Sequence, residues 1–235
     1  MKQKAMVSRD EWTQARLDLL AKEKAMSKAL DELARKRRAL PWVPVDKDYE
    51  FRGPNGSVTL TGLFGGCRQL IVYHFMYGPD WEQGCPSCSF WADNYNGIDV
   101  HLAHRDTALV AVSNTAIENI ESYRQRMGWD FTWVSSLGNG FNEDFHVTFK
   151  PEDLEAGEVY YNFDQRAFPS TEAPGLSVFV KTDGGGVAHS YSCYGRGLDI
   201  FNGAYQLLDM TPKGRDEDQL LYSMAWLRRH DQYGD

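Results

Sequence analysis

Two neighbouring stretches decide the fold of this chain: QLIVYHFM at residues 69–76 and, after a loop, CPSC at residues 85–88. The first is a continuous apolar run, which is the pattern of a central strand buried on both faces. We predict that the second opens a helix running from Ser87 to about Tyr95. The sulfur atoms of Cys85 and Cys88 would then lie on the first turn of one helix, directly after a central strand.

Further elements follow on the C-terminal side of this unit. A second buried strand is predicted at residues 108–113, a helix ending at Gly128, and a third strand at 131–134. Later strands are predicted at 158–163, 176–181 and 187–191, with a glycine-rich turn joining the last two. Parallel βαβ units followed by an antiparallel hairpin are the thioredoxin order. We therefore predict an α/β, thioredoxin-like three-layer sandwich over residues 45–210, with an insertion at about 138–174.

Both ends of the chain extend this domain. Apolar residues recur at helical spacing from Arg9 to about Arg38, Ser8 and Glu11 form a capping-box pattern, and Pro41 ends the helix. The region 1–44 is thus an amphipathic helix with its linker, whose apolar face covers either the main domain or a second subunit in a homodimer. Residues 211–235 are predicted as a helical C-terminal extension, with a final helix over 220–227.

Composition narrows the class of protein. The 235 residues carry a net charge of -8, whereas nucleic-acid binders need a clustered basic face, so we predict no nucleic-acid partner. The chain contains no apolar run of the roughly 20 residues that a membrane span requires, and its start is polar. We therefore expect a cytoplasmic protein without a membrane partner. Four cysteines are too few for a disulfide-stapled scaffold.

The CPSC segment indicates a redox-active dithiol. A helix N-terminus offers unpaired N–H groups and partial positive charge, which lower the pKa of the first thiol, and the second thiol is close enough to close a disulfide. Pro86 fits the first helical position because its missing N–H has no partner to lose there. Two alternatives are a zinc site with His101 and His104, and cysteines without chemistry. The dithiol interpretation predicts no metal and no cofactor.

Several motifs together resemble one family. They are YHFMYGP at 73–79, GCPSCS at 84–89, GRGLD at 195–199, LDMTPKGR at 208–215 and WLRRHD at 226–231. Over nearly the whole chain these are similar to DUF899, thioredoxin-like proteins often described as predicted dithiol-disulfide oxidoreductases. The resemblance implies a proline, commonly cis, at the start of the strand facing the dithiol. Pro174 is the candidate by position.

Other side chains are candidates for supporting the site. Trp81 and Trp91 flank the cysteines and could line a ligand cleft, or belong to the core. His74, on the strand leading to the dithiol, could tune a thiolate, or be a buried histidine with satisfied hydrogen bonds. Pro86 and Ser87 form the dipeptide between the cysteines.

Three functions are compatible with these patterns. The first is a thiol-disulfide oxidoreductase in which Cys85 attacks and Cys88 resolves, acting on a disulfide-containing protein or a small thiol or disulfide. The second is a peroxiredoxin-like peroxidase, although Glu82 stands where peroxiredoxins carry threonine and a carboxylate there disfavours the thiolate. The third is a thioredoxin-fold binding or redox-sensing module without catalysis.

Overall fold

The computed structural model describes residues 4–234, and its central sheet is built around the predicted strand at 69–76. The strands are β1 (Val43–Pro44), β2 (Glu50–Gly53), β3 (Gly56–Thr59), β4 (Gln69–His74), β5 (Thr107–Ser113), β6 (Thr132–Ser135), β7 (Val159–Tyr161), β8 (Asp164–Arg166), β9 (Gly175–Lys181) and β10 (Val187–Tyr194). The helices are α1 (Arg9–Arg38), α2 (Leu60–Leu63), α3 (Pro86–Ala92), α4 (Asp99–Ala103), α5 (Ile117–Arg126), α6 (Phe141–Asp144), α7 (Pro151–Glu155) and α8 (Gly203–Asp209), and 3-10 turns cover Gly195–Phe201 and His230–Gln232.

The order of the strands confirms the thioredoxin-like prediction. Eight strands form one sheet in the order β1-β10-β9-β4-β5-β6-β2-β3, while β7 and β8 form a separate pair. Strands β4, β5 and β6 are parallel, β9 pairs antiparallel with β4, and β10 pairs antiparallel with β9 on its other side. Helix α3 follows β4 directly and leads towards β5. Residues 85–88 therefore lie at the carboxyl end of a central strand, as the sequence predicted.

Each face of the sheet packs against helices, which gives the three layers. One face carries an aromatic-rich core that includes Trp91 of α3, Tyr123 of α5 and Tyr205 of α8. The other face carries an aliphatic and phenylalanine core that includes Leu63 of α2 and Phe141 of α6. We call these the dithiol face and the opposite face. Alternation along β4 sends Tyr73 to the dithiol face and Val72 to the opposite face.

The predicted insertion has its own small core. Helices α6 and α7 and the β7–β8 pair lie within residues 138–174, and a cluster around Val147, Phe149 and Tyr161 packs against Tyr194 of β10. Glu172 of this insertion is 1% exposed and accepts hydrogen bonds from Asn114 and Thr148. Burial raises the pKa of Glu172 to about 7.

The described part of the chain divides into two compact units, residues 4–41 and 42–234. In the first, α1 runs from Arg9 to Arg38 as predicted, and its capping box is formed: Ser8 N–H donates to Glu11 Oε2 at 2.9 Å and Glu11 N–H donates to Ser8 Oγ at 3.2 Å. No residue of this helix is buried. Pairing of the helix with a second copy stays a prediction, as do the boundaries at residues 44 and 210.

The final helix predicted over residues 220–227 is wrong. These residues form turns, and Met224 has a φ of 70°, which an α-helix does not allow. The cause is a tertiary anchor: Glu217 Oε1 accepts from Tyr205 Oη at 2.8 Å, Met224 N–H at 3.0 Å and Trp226 Nε1 at 2.7 Å. These bonds override the local apolar spacing. Among residues 4–234, no helix has the length and apolar character that crossing a membrane requires.

Candidate functional site

The dithiol begins α3. Cys85 is the N-cap residue, Pro86 occupies the first helical position, and Ser89 N–H donates to Cys85 O at 3.0 Å. Cys85 N–H donates to Met76 O at 3.0 Å, which ties the start of the helix to the chain just beyond β4. The apolar strand and the proline thus fix where the two sulfur atoms lie.

The two thiols differ in exposure and in acidity. Cys85 is partly exposed, whereas Cys88 is 2% exposed. A hydrogen bond from the Cys88 thiol, with backbone N–H groups of Cys88 and Ser87, lowers the pKa of Cys85 to about 7 even though burial opposes the shift. Burial raises the pKa of Cys88. At neutral pH a large fraction of the outer thiol is therefore ionised, whereas the inner thiol stays protonated.

Groups at the end of β4 surround the inner thiol. Met76 N–H donates to Cys88 Sγ at 3.4 Å, and the Tyr73 hydroxyl donates to Cys88 O at 3.3 Å. Burial raises the pKa of Tyr73, so its hydroxyl remains a neutral donor. The inner sulfur is thus held by the strand that precedes the dithiol.

A mostly apolar cavity of about 200 Å³ opens beside Cys88. Three residues expected near the dithiol, Ser87, Trp91 and Pro174, lie in its wall. Trp91 is oriented by donating its Nε1 hydrogen to Leu198 O at 2.7 Å. The other lining residues are Tyr73, Met76, Gly195, Arg196, Leu198, Asp199 and Met224. A cavity of this size holds one apolar group of about the size of a benzene ring.

The cis geometry implied for Pro174 is wrong. Every peptide bond in the described part of the chain is trans. The Tyr161 hydroxyl donates to Pro174 O at 2.7 Å and holds the proline against the cavity. Pro174 thus lines the same cavity as Cys88 and follows a trans peptide bond, and its role at the dithiol stays a prediction.

Two other predicted supporting residues do not line this cavity. Trp81 packs on the dithiol-face core from the preceding loop but does not line the cavity. His74 is 1% exposed and stacks on Phe141, a residue of the opposite-face core. The prediction that His74 supports the thiolate is corrected, because side chains alternate along β4 and Tyr73 takes the face of the dithiol.

The zinc alternative finds no ligand set in this geometry. Across residues 4–234 the structure brings together no group of three or more histidine, cysteine, aspartate or glutamate side chains able to hold a metal ion. His101 lies in α4 and His104 follows its end, on a different helix from the cysteines.

Three residues connected to the dithiol loop by hydrogen bonds, Ser89, Tyr123 and Arg229, were not predicted as site residues from the sequence. Ser89 Oγ donates to Cys85 O at 2.9 Å, and the Tyr123 hydroxyl lies 2.8 Å from Ser89 Oγ. Arg229 Nε lies 2.8 Å from the Tyr123 hydroxyl. Arg229 is 145 residues from the Gly84 carbonyl that it also binds, so no local pattern could indicate this contact.

Comparisons with known proteins give a family and distant structural likenesses. Peroxiredoxin Q of Xanthomonas campestris is 13% identical with a TM-score of 0.43, over 67% of this chain and 89% of that one. A mitochondrial 2-Cys peroxiredoxin from Plasmodium falciparum is 12% identical with a TM-score of 0.43, over 71% and 92%. No functionally curated protein matches.

These structural likenesses are weak, so the fold follows from the strand order and connections of the chain itself. The sequence model of one family, by contrast, matches residues 1–233, nearly the full length. The chain therefore belongs to the family DUF899, described as a bacterial protein of unknown function.

Proposed function

We propose that this chain is a thiol-disulfide oxidoreductase in which Cys85 attacks and Cys88 resolves. The observation that carries the proposal is the asymmetry of the two thiols on one helical turn. Cys85 is partly exposed with a pKa lowered to about 7, and Cys88 is buried with a raised pKa. A nucleophile needs the first environment and a resolving thiol tolerates the second.

The reaction transfers two electrons from the dithiol to the substrate. The Cys85 thiolate attacks one sulfur of a substrate disulfide, which forms a mixed disulfide and releases the other substrate sulfur as a thiolate. That thiolate takes the Cys88 proton, and the Cys88 sulfur attacks Cys85. The second substrate thiolate leaves and is protonated by solvent, while the Cys85–Cys88 disulfide closes.

The substrate class is a disulfide-containing protein or a small disulfide. The cavity beside Cys88 supports a substrate with an apolar group next to the reacting sulfur, because its lining is mostly apolar. A small thiol or another dithiol would return the enzyme to its reduced form. A reducing compartment such as the cytoplasm would supply that thiol.

Reduction of insulin disulfides with dithiothreitol as electron donor tests the proposal. We expect Cys85→Ser to abolish turnover. Cys88→Ser, reduced and then mixed with insulin after removal of dithiothreitol, should stop at a mixed disulfide on Cys85, detectable by mass spectrometry, because no resolving thiol is present. Cys67→Ser is the matched control because Cys67 lies outside the dithiol site, and its rate should equal that of the wild type. A Cys85→Ser variant with unchanged turnover would contradict the proposal.

The same proteins separate the two alternative functions. Fast loss of hydrogen peroxide with stoichiometric sulfenic acid on Cys85, but without insulin reduction, would favour a peroxidase. A Cys85 pKa at or above about 8.5 with no disulfide formation would favour a binding or sensing module.

A further inference from the structure

The C-terminal segment binds the loop that precedes the dithiol. Arg229 donates to Gly84 O twice, from Nη2 at 2.6 Å and from Nε at 3.2 Å. Gly84 immediately precedes Cys85 and is tightly enclosed: a Cβ added there would lie 2.7 Å from Phe75 and 2.9 Å from Tyr123. The guanidinium therefore binds a peptide group in a tightly packed part of the loop that leads into Cys85.

A second path runs from the same guanidinium to Cys85. Arg229 Nε donates to the Tyr123 hydroxyl at 2.8 Å. That hydroxyl donates to Ser89 Oγ at 2.8 Å, and Ser89 Oγ donates to Cys85 O at 2.9 Å. With the Cys85 N–H bound to Met76 O, the Cys85 backbone is held at its N–H, at its C=O and at the preceding C=O.

This backbone placement bears on acidity. The bonds that lower the pKa of Cys85 come from the Cys88 thiol and from N–H groups of Cys88 and Ser87, and such bonds depend on where the Cys85 sulfur lies. The titratable groups near the dithiol are Tyr73, Tyr95, Tyr123, Tyr161 and Arg229, together with Arg196 and Asp199 in the wall of the cavity beside Cys88. Among these, Arg229 is the charged group that hydrogen-bonds the backbone of the dithiol loop. A loop released from Arg229 would lose alignment with these donors.

Other contacts keep the segment attached without Arg229. Asp231 accepts from Arg126 at 2.6 and 3.1 Å, and His230 Nδ1 lies 2.7 Å from Asp93 Oδ1. An Arg229 variant therefore retains the docked segment and changes mainly the contact with Gly84 and Tyr123.

We infer that Arg229 is a positioning residue for the Cys85 thiolate, acting through the Gly84 carbonyl and the Tyr123–Ser89 chain. The inference rests on the proposed function, since it concerns the reactivity of the same thiol. It assigns to the end of the chain a role in setting the pH at which the dithiol reacts.

The test is the pH dependence of Cys85 alkylation by iodoacetamide in the full-length, reduced protein. We expect a midpoint near 7 in the wild type. Arg229→Met should raise the midpoint by about one pH unit and slow alkylation about tenfold at pH 6, with the rates converging above pH 9. Arg229→Lys, which keeps a charged donor, should give an intermediate midpoint.

Arg228→Met is the matched control, because the Arg228 guanidinium donates to Trp226 O and Leu227 O within its own segment. Its midpoint should equal that of the wild type. An unchanged midpoint in Arg229→Met would overturn the inference even if the thermal stability of that variant fell. If Arg229→Met fails to fold, Arg229→Lys takes its place. A wild-type midpoint in both Arg229→Lys and Arg228→Met would then overturn the inference. A wild type without thiolate near neutral pH and without insulin reduction would instead remove the proposed function.

Discussion

The two faces of the central sheet each bury a chain of hydrogen-bonded polar groups, and the chains differ in charge. On the dithiol face the chain runs from the Arg229 guanidinium through Tyr123 and Ser89 to Cys85 O. It starts from a permanent charge and ends on the backbone of the nucleophile proposed above. Charge-assisted bonds of this kind are roughly twice as strong as bonds between neutral groups.

On the opposite face the chain is neutral throughout. His189 Nε2 lies 2.8 Å from Ser192 Oγ, the Ser192 and Ser177 hydroxyls are 2.8 Å apart, and Ser177 Oγ lies 2.9 Å from His74 Nε2. His74 Nδ1 then donates to Asn142 Oδ1 at 3.3 Å, since that oxygen can only accept. With Nδ1 as the donor, a neutral His74 imidazole accepts at Nε2 from the Ser177 hydroxyl.

The difference in charge indicates a different role for each series of hydrogen bonds. Burial lowers the pKa of His74 to about 4 and also lowers that of His189, so the opposite-face chain carries no charge near neutral pH. It satisfies buried polar groups and thereby stabilises the sheet. The dithiol-face chain acts on one reactive residue. The faces should therefore respond differently to the same chemical change.

The largest expected effect is on acid stability, through His74. Its folded-state pKa of about 4 lies below the ordinary value of 6.5, so the unfolded chain binds a proton first as pH falls. His74 therefore contributes stability that is present above pH 6.5 and is lost as pH falls towards 4, a change of about 3 kcal/mol. In denaturant unfolding, the free energy of unfolding of His74→Phe should therefore fall between pH 8 and pH 4 by about 3 kcal/mol less than that of the wild type.

The same variant checks the separation of the faces. His74→Phe keeps a ring against Phe141 but leaves Asn142 without its partner, which should cost roughly 1–3 kcal/mol at pH 7. The alkylation midpoint of Cys85 should not move. A raised midpoint would restore His74 as a supporting residue of the dithiol and contradict the independence of the two faces.

The sequence predicted what depends on local pattern. The apolar runs of β4 and β5 identified central strands, Ser8 and Glu11 marked the start of α1, and the position of Cys85 after a buried strand placed the dithiol on α3. It could not decide which face His74 occupies, because β4 is buried on both sides and its composition does not distinguish them.

The contacts of the C-terminal segment could not be predicted from local sequence patterns either, for a different reason. Spacing of apolar residues predicted a helix over 220–227, but three hydrogen bonds to Glu217 and the positive φ of Met224 produce turns instead. Arg229 reaches Gly84 only because of that irregular path. Its partner is distant in sequence and is a backbone carbonyl, which any residue could provide.

A smaller effect is expected from Tyr123→Phe on the dithiol face. The change removes the hydroxyl between Arg229 and Ser89 while Arg229 keeps its bonds to Gly84. Loss of a buried hydrogen bond to a charged group should cost about 1–2 kcal/mol in denaturant unfolding. The Cys85 midpoint should rise by roughly 0.3–0.5 pH units, less than in Arg229→Met, because one of two links remains. A shift as large as that of Arg229→Met would locate the coupling in Tyr123 alone.

The smallest effect is expected from Ser192→Ala, the matched loss of a hydroxyl on the opposite face. Ser177 keeps its bond to His74, and His189 keeps Tyr191 O at 3.0 Å, so the bonds at both ends of the hydrogen-bonded series remain. We expect about 1 kcal/mol of destabilisation and a Cys85 midpoint equal to that of the wild type. Measured beside Tyr123→Phe, the pair separates lost stability from lost positioning, since both variants remove one buried hydroxyl. If Ser192→Ala moved the Cys85 midpoint as far as Tyr123→Phe does, the sheet itself would transmit the change, and the two faces would not be independent.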